Sequence, residues 1–419
     1  MNAYALFLLL ALSGDAVLRL VADHLNLKAA GTKLPQDFEG YYDPERYRRS
    51  QIYLRANTRF GGFVAVVDLL ILLSVWFGGG FAFWDAWVGK HQWGAVVSGL
   101  VFIGGLLLVK SVVDLPFSVY RTFVIEARFG FNRTSAVTFV KDRLKSLMLI
   151  LLLGTPVLGA VLWFFAQAGS HAWWLCWLAV SCFTLGIQFV APTWIMPLFN
   201  RFEPLAEGEL KAAIFDYARR IGFPLAKVMV MDGSKRSSKA NAFFTGFGRN
   251  RRIVLFDTLV ETHDTKELLA ILAHEMGHYK LHHIHKMMTI GVLQMGLMFF
   301  VLSRFISEPG LFEAFLVPTP SVHAGLVFFS LLFTPLDTLL SLFGNRLSRV
   351  HEYAADQFAV RSMDAAPLAT ALKKLSVQNL SNLTPHPFFV FLHYSHPPIL
   401  ERLRAIEFRG AQAAAGFRQ

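Results

Sequence analysis

The stretch SLMLILLLGTPVLGAVLWFFAQA, residues 146–168, runs its whole length without a charge. A helix of about 20 apolar residues, rising 1.5 Å per residue, crosses the ~30 Å hydrocarbon core of a bilayer. Six other stretches meet the same measure, at roughly 3–22, 62–85, 94–116, 173–195, 287–306 and 323–343. The first is the weakest, because Asp15 and Arg19 interrupt it. Composition points the same way. Charged residues make up 16% of the 419 and apolar residues 54%, with Phe present 40 times. An average globular chain is roughly 25% charged, so this one lacks the polar surface to coat a soluble body. The expected fold is mainly α, with seven transmembrane helices.

The net charge of +11 is explained by where the basic residues fall. Nothing resembles a zinc finger, an RNP motif or a base-reading helix, so no nucleic-acid partner is expected. Lys28, Lys33, Arg46, Arg48, Arg49, Arg55 and Arg59 follow the first span, and Arg121, Arg128, Arg133, Lys141, Arg143 and Lys145 follow the third. The segments after the fifth and seventh spans are also rich in both, whereas the loop after the second has only Lys90 and that after the fourth has none. Basic loops stay on the cytoplasmic side, which places the N-terminus outside and the C-terminus in the cytoplasm. The apolar N-terminus lacks a basic region ahead of it and reads as a retained span rather than a cleaved signal peptide. Cys176 and Cys182 lie six apart in one span, on nearly opposite helix faces, and do not suit a disulfide. Asp68, Lys110, Asp114 and Asp337 lie within spans, either as salt bridges fixing helix packing or facing a hydrated interior; ionised groups facing lipid cost several kcal/mol.

Two portions read as water-soluble. Residues 198–286 hold a helical stretch near 207–221, a strand at Lys227–Met231, a polar turn from Asp232 to Lys239, the stretch Ala240–Gly246, a second strand at Arg252–Asp257 and a long helix from about Thr265. Residues 344–419 read as helical to about Met363, near 367–380 and near 397–408, with a fraying tail after Phe408. The expected division is 1–197 for five spans with their loops, 198–286 for a small α+β unit, 287–343 for two further spans, and 344–419 for the rest of that unit.

Within the long helix stands Leu268-Leu269-Ala270-Ile271-Leu272-Ala273-His274-Glu275-Met276-Gly277-His278. Positions i and i+4 share a helix face, so His274 and His278 can grip one metal ion, with Glu275 about 100° round the helix beside the open coordination position. That pattern suits metal-assisted hydrolysis, in which zinc acidifies a water and a carboxylate takes its proton. An ordinary polar helix face has the same spacing. A third ligand must come from elsewhere. Asn345-Arg346-Leu347-Ser348-Arg349-Val350-His351-Glu352-Tyr353-Ala354-Ala355-Asp356 offers Glu352 as ligand and Asp356 as hydrogen-bond acceptor for a liganding imidazole. Alone it would read as a solvated acidic face; beside the first motif it reads as metal chemistry. His282 and His285 continue the face of His274 and His278, and His283 is expected to point away.

With these motifs in view, the chain resembles the type I CAAX prenyl endopeptidases, integral-membrane zinc proteases of the gluzincin kind, over nearly its whole length. Further matching stretches are Ile125-Glu126-Ala127-Arg128-Phe129-Gly130-Phe131-Asn132, Pro197-Leu198-Phe199-Asn200-Arg201-Phe202, Lys239-Ala240-Asn241-Ala242-Phe243-Phe244-Thr245-Gly246-Phe247 and Tyr394-Ser395-His396-Pro397-Pro398-Ile399-Leu400-Glu401-Arg402. The resemblance implies seven helices enclosing a water-filled chamber, with one zinc ion per chain facing it. It also implies that Asn241 and Ala242 lie on an edge strand holding an extended peptide, as in β-augmentation. By the same resemblance His396 donates to the tetrahedral intermediate, and Arg402 belongs at the active site, grouped with the substrate contacts. The activity implied is cleavage of peptide or protein substrates in a chamber open to the cytoplasm. The eukaryotic members remove three terminal residues from a prenylated cysteine motif. This chain ends Ala415-Gly416-Phe417-Arg418-Gln419 without a dilysine retrieval signal, which favours a bacterial inner membrane. Alternatives are a quality-control protease for misfolded or jammed chains, and a non-catalytic lipid-binding or transport protein stabilised by zinc. A structural zinc needs no general base, and Glu275 argues against the latter.

Overall fold

The computed structural model describes residues 1–31, 33–245 and 251–416, with all their side chains except those of 409–416. Gly246 and Phe247 of the matching stretch, and Phe417 to Gln419, lie outside the described residues. Seven helices are long and apolar enough to cross a membrane: Ala3–Ala29, Pro44–Phe77, Ala95–Glu126, Ala136–Gln167, Gly169–Leu198, His283–Phe305 and Val322–Ser362. Each of the seven expected spans falls on one of them.

Local chemistry sets where they start and stop. Asn2, Asp43 and Ser321 cap three of them, each side chain accepting from a backbone N–H in the first turn. The expected second span, 62–85, runs across a break that apolar content alone does not show. The helix ends at Phe77, Gly79 takes φ +72°, and a separate helix covers Gly80–Gly89. Only glycine adopts that left-handed backbone without strain. The seventh helix does not stop at the membrane. It continues for 41 residues to Ser362, straight through the boundary expected at 343/344, and so carries Glu352 and Asp356 on the same rod as the span.

Lys110 of the third long helix lies 3.3 Å from Asp68 of the second and also pairs with Asp114 one turn on. All three side chains are accessible, although they sit within membrane-length helices. Paired in this way, the three charges offset one another's cost within a membrane-length stretch.

The soluble unit is built on a four-stranded sheet: β1 (Phe202–Pro204), β2 (Leu225–Met231), β3 (Ala242–Thr245) and β4 (Arg251–Phe256), in the order β1-β2-β4-β3. β2 and β4 pair in parallel, and both outer strands run antiparallel to their neighbours. β3 is thus an edge. The helix Thr265–Lys280 starts with a capping box, in which Glu267 N–H donates to Asp264 and Asp264 N–H donates to Glu267. Its Leu268, Ile271, Leu272 and Met276 pack on Val228, Ile253 and Leu255 of the sheet and on Ala359 and Val360 of the long helix.

Gly277 permits that last contact. A Cβ there would lie 3.1 Å from Phe358 Cδ1 and 3.3 Å from Ala355 Cα. The two helices are therefore in close contact between the paired histidines of one and the carboxylates of the other. Ion pairs dock the unit onto the membrane helices. Lys239 Nζ lies 3.0 Å from Glu126 and 2.8 Å from the Tyr53 hydroxyl, and Arg236 grips Asp142 with two bonds of 2.7 and 2.9 Å.

Candidate metal centre

The Thr265–Lys280 helix brings His274 and His278 onto one face, with their Nε2 atoms 3.1 Å apart. Glu352, from the long helix, closes the group. Its Oε1 is 3.2 Å from His278 Nε2 and its Oε2 is 3.5 Å from His274 Nε2. The three residues offer one ligand atom each, all within 4.8 Å of one another. His274 Nδ1 lies 2.8 Å from Asp356 Oδ1. A carboxylate accepts only, so Nδ1 carries a proton and Nε2 is the nitrogen that points at the group. Glu352 is 4% exposed, and its buried Oε2 has no hydrogen-bond partner. Two imidazole nitrogens and a buried carboxylate oxygen without a hydrogen bond thus converge on one point. A dication of the zinc type, which takes imidazole nitrogen and carboxylate oxygen, fits that set.

Behind these residues sits Arg402, 9% exposed. It donates to both oxygens of Asp356, at 2.9 and 2.7 Å, and its Nη1 lies 3.4 Å from Glu352 Oε2. Expected among the substrate contacts, Arg402 borders the same cavity as Glu275 and also donates to the two carboxylates that orient and complete the site. Burial depresses the His274 pKa, but the hydrogen bonds to Asp356 and Glu352 outweigh it and hold it up to about 9 in the metal-free chain. Burial raises the Glu275 carboxyl, against the pull of His274 and His278. A carboxylate so placed is a stronger base than one in water.

Glu275 lines a cavity of about 270 Å³ together with His274, His278, Glu352, His396 and the segment Ala240–Ala242. His396 reaches it from a loop 44 positions beyond Glu352. Its Nε2 is 3.4 Å from Glu352 Oε1, its Nδ1 meets Ser395 Oγ at 3.0 Å, and its exposed ring stands over the site. Pro397 and Pro398, both buried, hold the backbone behind it. Ser395 was no candidate from sequence, where a lone serine beside a histidine carries no signal.

β3 forms one wall. The bond from Phe256 N–H to Asn241 O, 3.1 Å, makes Asn241 a residue that bonds inward to β4. Alternation then turns the N–H and C=O of Ala240, Ala242 and Phe244 outward. The Ala242 N–H is capped at 2.9 Å by Asn241's own side-chain oxygen.

The remaining histidines fall otherwise than expected. The helix ends at Lys280 and His282 takes φ +57°, so the face of His274 and His278 does not continue. His282 and His285 are exposed, whereas His283 is buried with its Nδ1 3.1 Å from His278 Nδ1 and its ring stacked on His351 at 4.0 Å. His283 is the one that touches a site residue.

Comparison with known proteins agrees with this layout. Residues 23–201 match the family model described as the CAAX prenyl protease N-terminal region, five membrane helices, and residues 204–409 match peptidase family M48. The CAAX prenyl protease 1 homolog of Oryza sativa subsp. japonica is 36% identical over 384 residues, covering 89% of this chain and 90% of that protein. CAAX prenyl protease 1 of Saccharomyces cerevisiae is 34% identical over 412 residues, covering 91% and 90%. A crystal structure of S. mikatae Ste24p superposes with a TM-score of 0.92 at 33% identity, covering 97% of this chain and 100% of the other.

Proposed function

Because the chain belongs to peptidase family M48, joined to the CAAX prenyl protease membrane region, and is thus an integral-membrane metalloendopeptidase, we propose that its metal is zinc, held by His274, His278 and Glu352. The observation that carries this assignment is the convergence of two imidazole Nε2 atoms, 3.1 Å apart, on a buried carboxylate with an unsatisfied oxygen. When bound there, the ion would supply Lewis acidity, acidifying water and polarising a peptide carbonyl. Glu275 is the general base: it takes the proton of the attacking water and passes it to the departing amine. His396 Nε2 donates to the carbonyl oxygen as negative charge gathers on it, with Ser395 and the two prolines holding its ring. Asp356 keeps His274 in the Nδ1–H tautomer, and Arg402 neutralises the charge that Asp356 and Glu352 would otherwise bury unpaired. Asn241 and Ala242 bind an extended peptide along the edge of β3.

The substrate is an extended peptide or protein segment, and a C-terminal cysteine motif of the kind in the relatives' names is the first to test. The basic loops favour a site on the cytoplasmic side, with the N-terminus on the other, as in a bacterial inner-membrane protein. Purified chain should contain one zinc per molecule and cleave a farnesylated CAAX peptide, and a chelator should remove both properties together. Glu275→Gln should keep the zinc and lose turnover, since an amide cannot accept the proton. Cleavage by that variant at the wild-type rate, or by the chelated protein, would overturn the assignment.

A further inference from the structure

We propose that Asn379 ends the peptide-binding edge, so that a bound substrate can pair along β3 on one side of the cleaved bond only. This rests on the reading of Asn241 and Ala242 as the substrate edge.

Asn379 is the residue at which the helix Ala365–Gln378 stops, and its side chain lines the same cavity as Glu275 and Glu352. Its amide makes two bonds to one backbone residue. Oδ1 accepts from Ala240 N–H at 3.3 Å, and Nδ2 donates to Ala240 O at 3.4 Å. That is the pattern a neighbouring strand residue makes in an antiparallel ladder, reproduced by a carboxamide. The adjacent side chain extends it: Gln378 Nε2 donates to Ser238 O at 3.2 Å. On the opposite side of the segment, Thr258 Oγ1 bonds Lys239 O at 3.0 Å and Phe256 bonds Asn241 O. Residues 238 and 240 thus face the helix end, and 239 and 241 face the sheet. The outward backbone is occupied by Gln378 and Asn379 as far as Ala240. At Ala242 the outward N–H meets Asn241's own side-chain oxygen, and Phe244 is the next outward residue.

The changeover lies beside the metal-ligand group, since Ala240, Asn241 and Ala242 line the cavity with His274 and Glu275. A strand advances about 3.3 Å per residue, so Ala240 sits only about 7 Å along the edge from Ala242. A peptide paired with Ala242 and continuing to Phe244 keeps its ladder bonds. Continuing towards Ala240, it meets two backbone groups already taken and must leave the edge. The enzyme consequently favours bonds with few residues on that side. Asn379 is a positioning residue: it touches the strand that holds substrate, and it sets where pairing ends.

Two series of peptides with a common cleavable core test this, one lengthened residue by residue at the N-terminal end and the other at the C-terminal end. They are cut by zinc-loaded, full-length chain in nanodiscs, with product masses as readout. In the wild type, one series should lose about tenfold in kcat/KM beyond a few added residues, the scale of losing a pair of backbone hydrogen bonds, while the other stays flat. Asn379→Ala should flatten the sensitive series and spread the cut over neighbouring bonds. Asn379→Asp, which keeps the shape and the acceptor for Ala240 N–H but repels Ala240 O, should do so as well without disturbing the helix end. Zinc content at the wild-type level shows that each variant is folded at the site. Equal tolerance of both series by the wild type would refute the inference. So would an unchanged length profile and cut position in both variants. A zinc-loaded wild type that cuts no peptide would instead sink the underlying peptide-edge reading, and this inference with it.

Discussion

Placing a methyl group at Gly277 probes a close contact between the two helices that supply the metal ligands. The Cβ of Gly277→Ala would stand 3.3 Å from Ala355 Cα and 3.1–3.2 Å from Phe358. Carbon atoms are comfortable at 3.5–4.0 Å, so the helices must part by about 0.4 Å. Ala355 offers only backbone, which cannot rotate away. The move falls between His274 and His278 on one side and Glu352 on the other, whereas metal–ligand distances tolerate only about ±0.2 Å. Overpacking of this kind costs about 1–3 kcal/mol, against about 0.5–1 kcal/mol gained by replacing glycine within a helix. The fold should therefore lose at most about 2.5 kcal/mol, while zinc affinity falls roughly tenfold or more, 1.4 kcal/mol per factor of ten. Competition with a chromophoric chelator measures the affinity, and thermal unfolding of the metal-free chain measures the fold. A variant that binds zinc within a factor of two of wild type would refute the argument that this approach sets the ligand spacing.

Glu352→Ala should purify with little zinc, because a ligand is removed; full metal content would place the third ligand elsewhere. His396→Ala should retain zinc and substrate affinity but lose about 10²–10³ in turnover, as expected for a donor that acts on developing charge. Loss of zinc from that variant would instead make His396 a ligand. A reporter active only in the periplasm should give no signal when fused to the C-terminus, and a strong signal there would reverse the topology.

The membrane spans were legible because uninterrupted apolar length is a one-dimensional property. The break at Gly78–Gly80 was not, since an apolar run continues on both sides of it. The histidine pair and Glu352 could be read from i,i+4 spacing, which a helix converts directly into a shared face. Extending that spacing to His282 and His285 failed because the helix breaks at a residue of no special turn chemistry, and it is His283 that comes back to His278. Arg402 and Asn379 were beyond local reading for a different reason. Their tasks exist only once segments 46 and 139 residues away, respectively, lie beside them. Strand β1, three residues long, carries no pattern of its own.

The two arms of the site are tied to the bilayer in unequal ways. Glu352 and Asp356 ride on one continuous helix of 41 residues, about 60 Å long, whose other half is a membrane span with Pro335 inside it. His274 and His278 sit on a short helix joined to its own span through the left-handed turn at His282. A thicker or thinner membrane changes the tilt of both spans. The long helix carries that tilt towards the carboxylates, less what a bend at Pro335 takes up, while the joint at His282 separates the imidazoles from their own span. Lipid composition therefore acts as a setting on hydrolysis: the same chain should turn over fastest in one bilayer thickness and more slowly in any other.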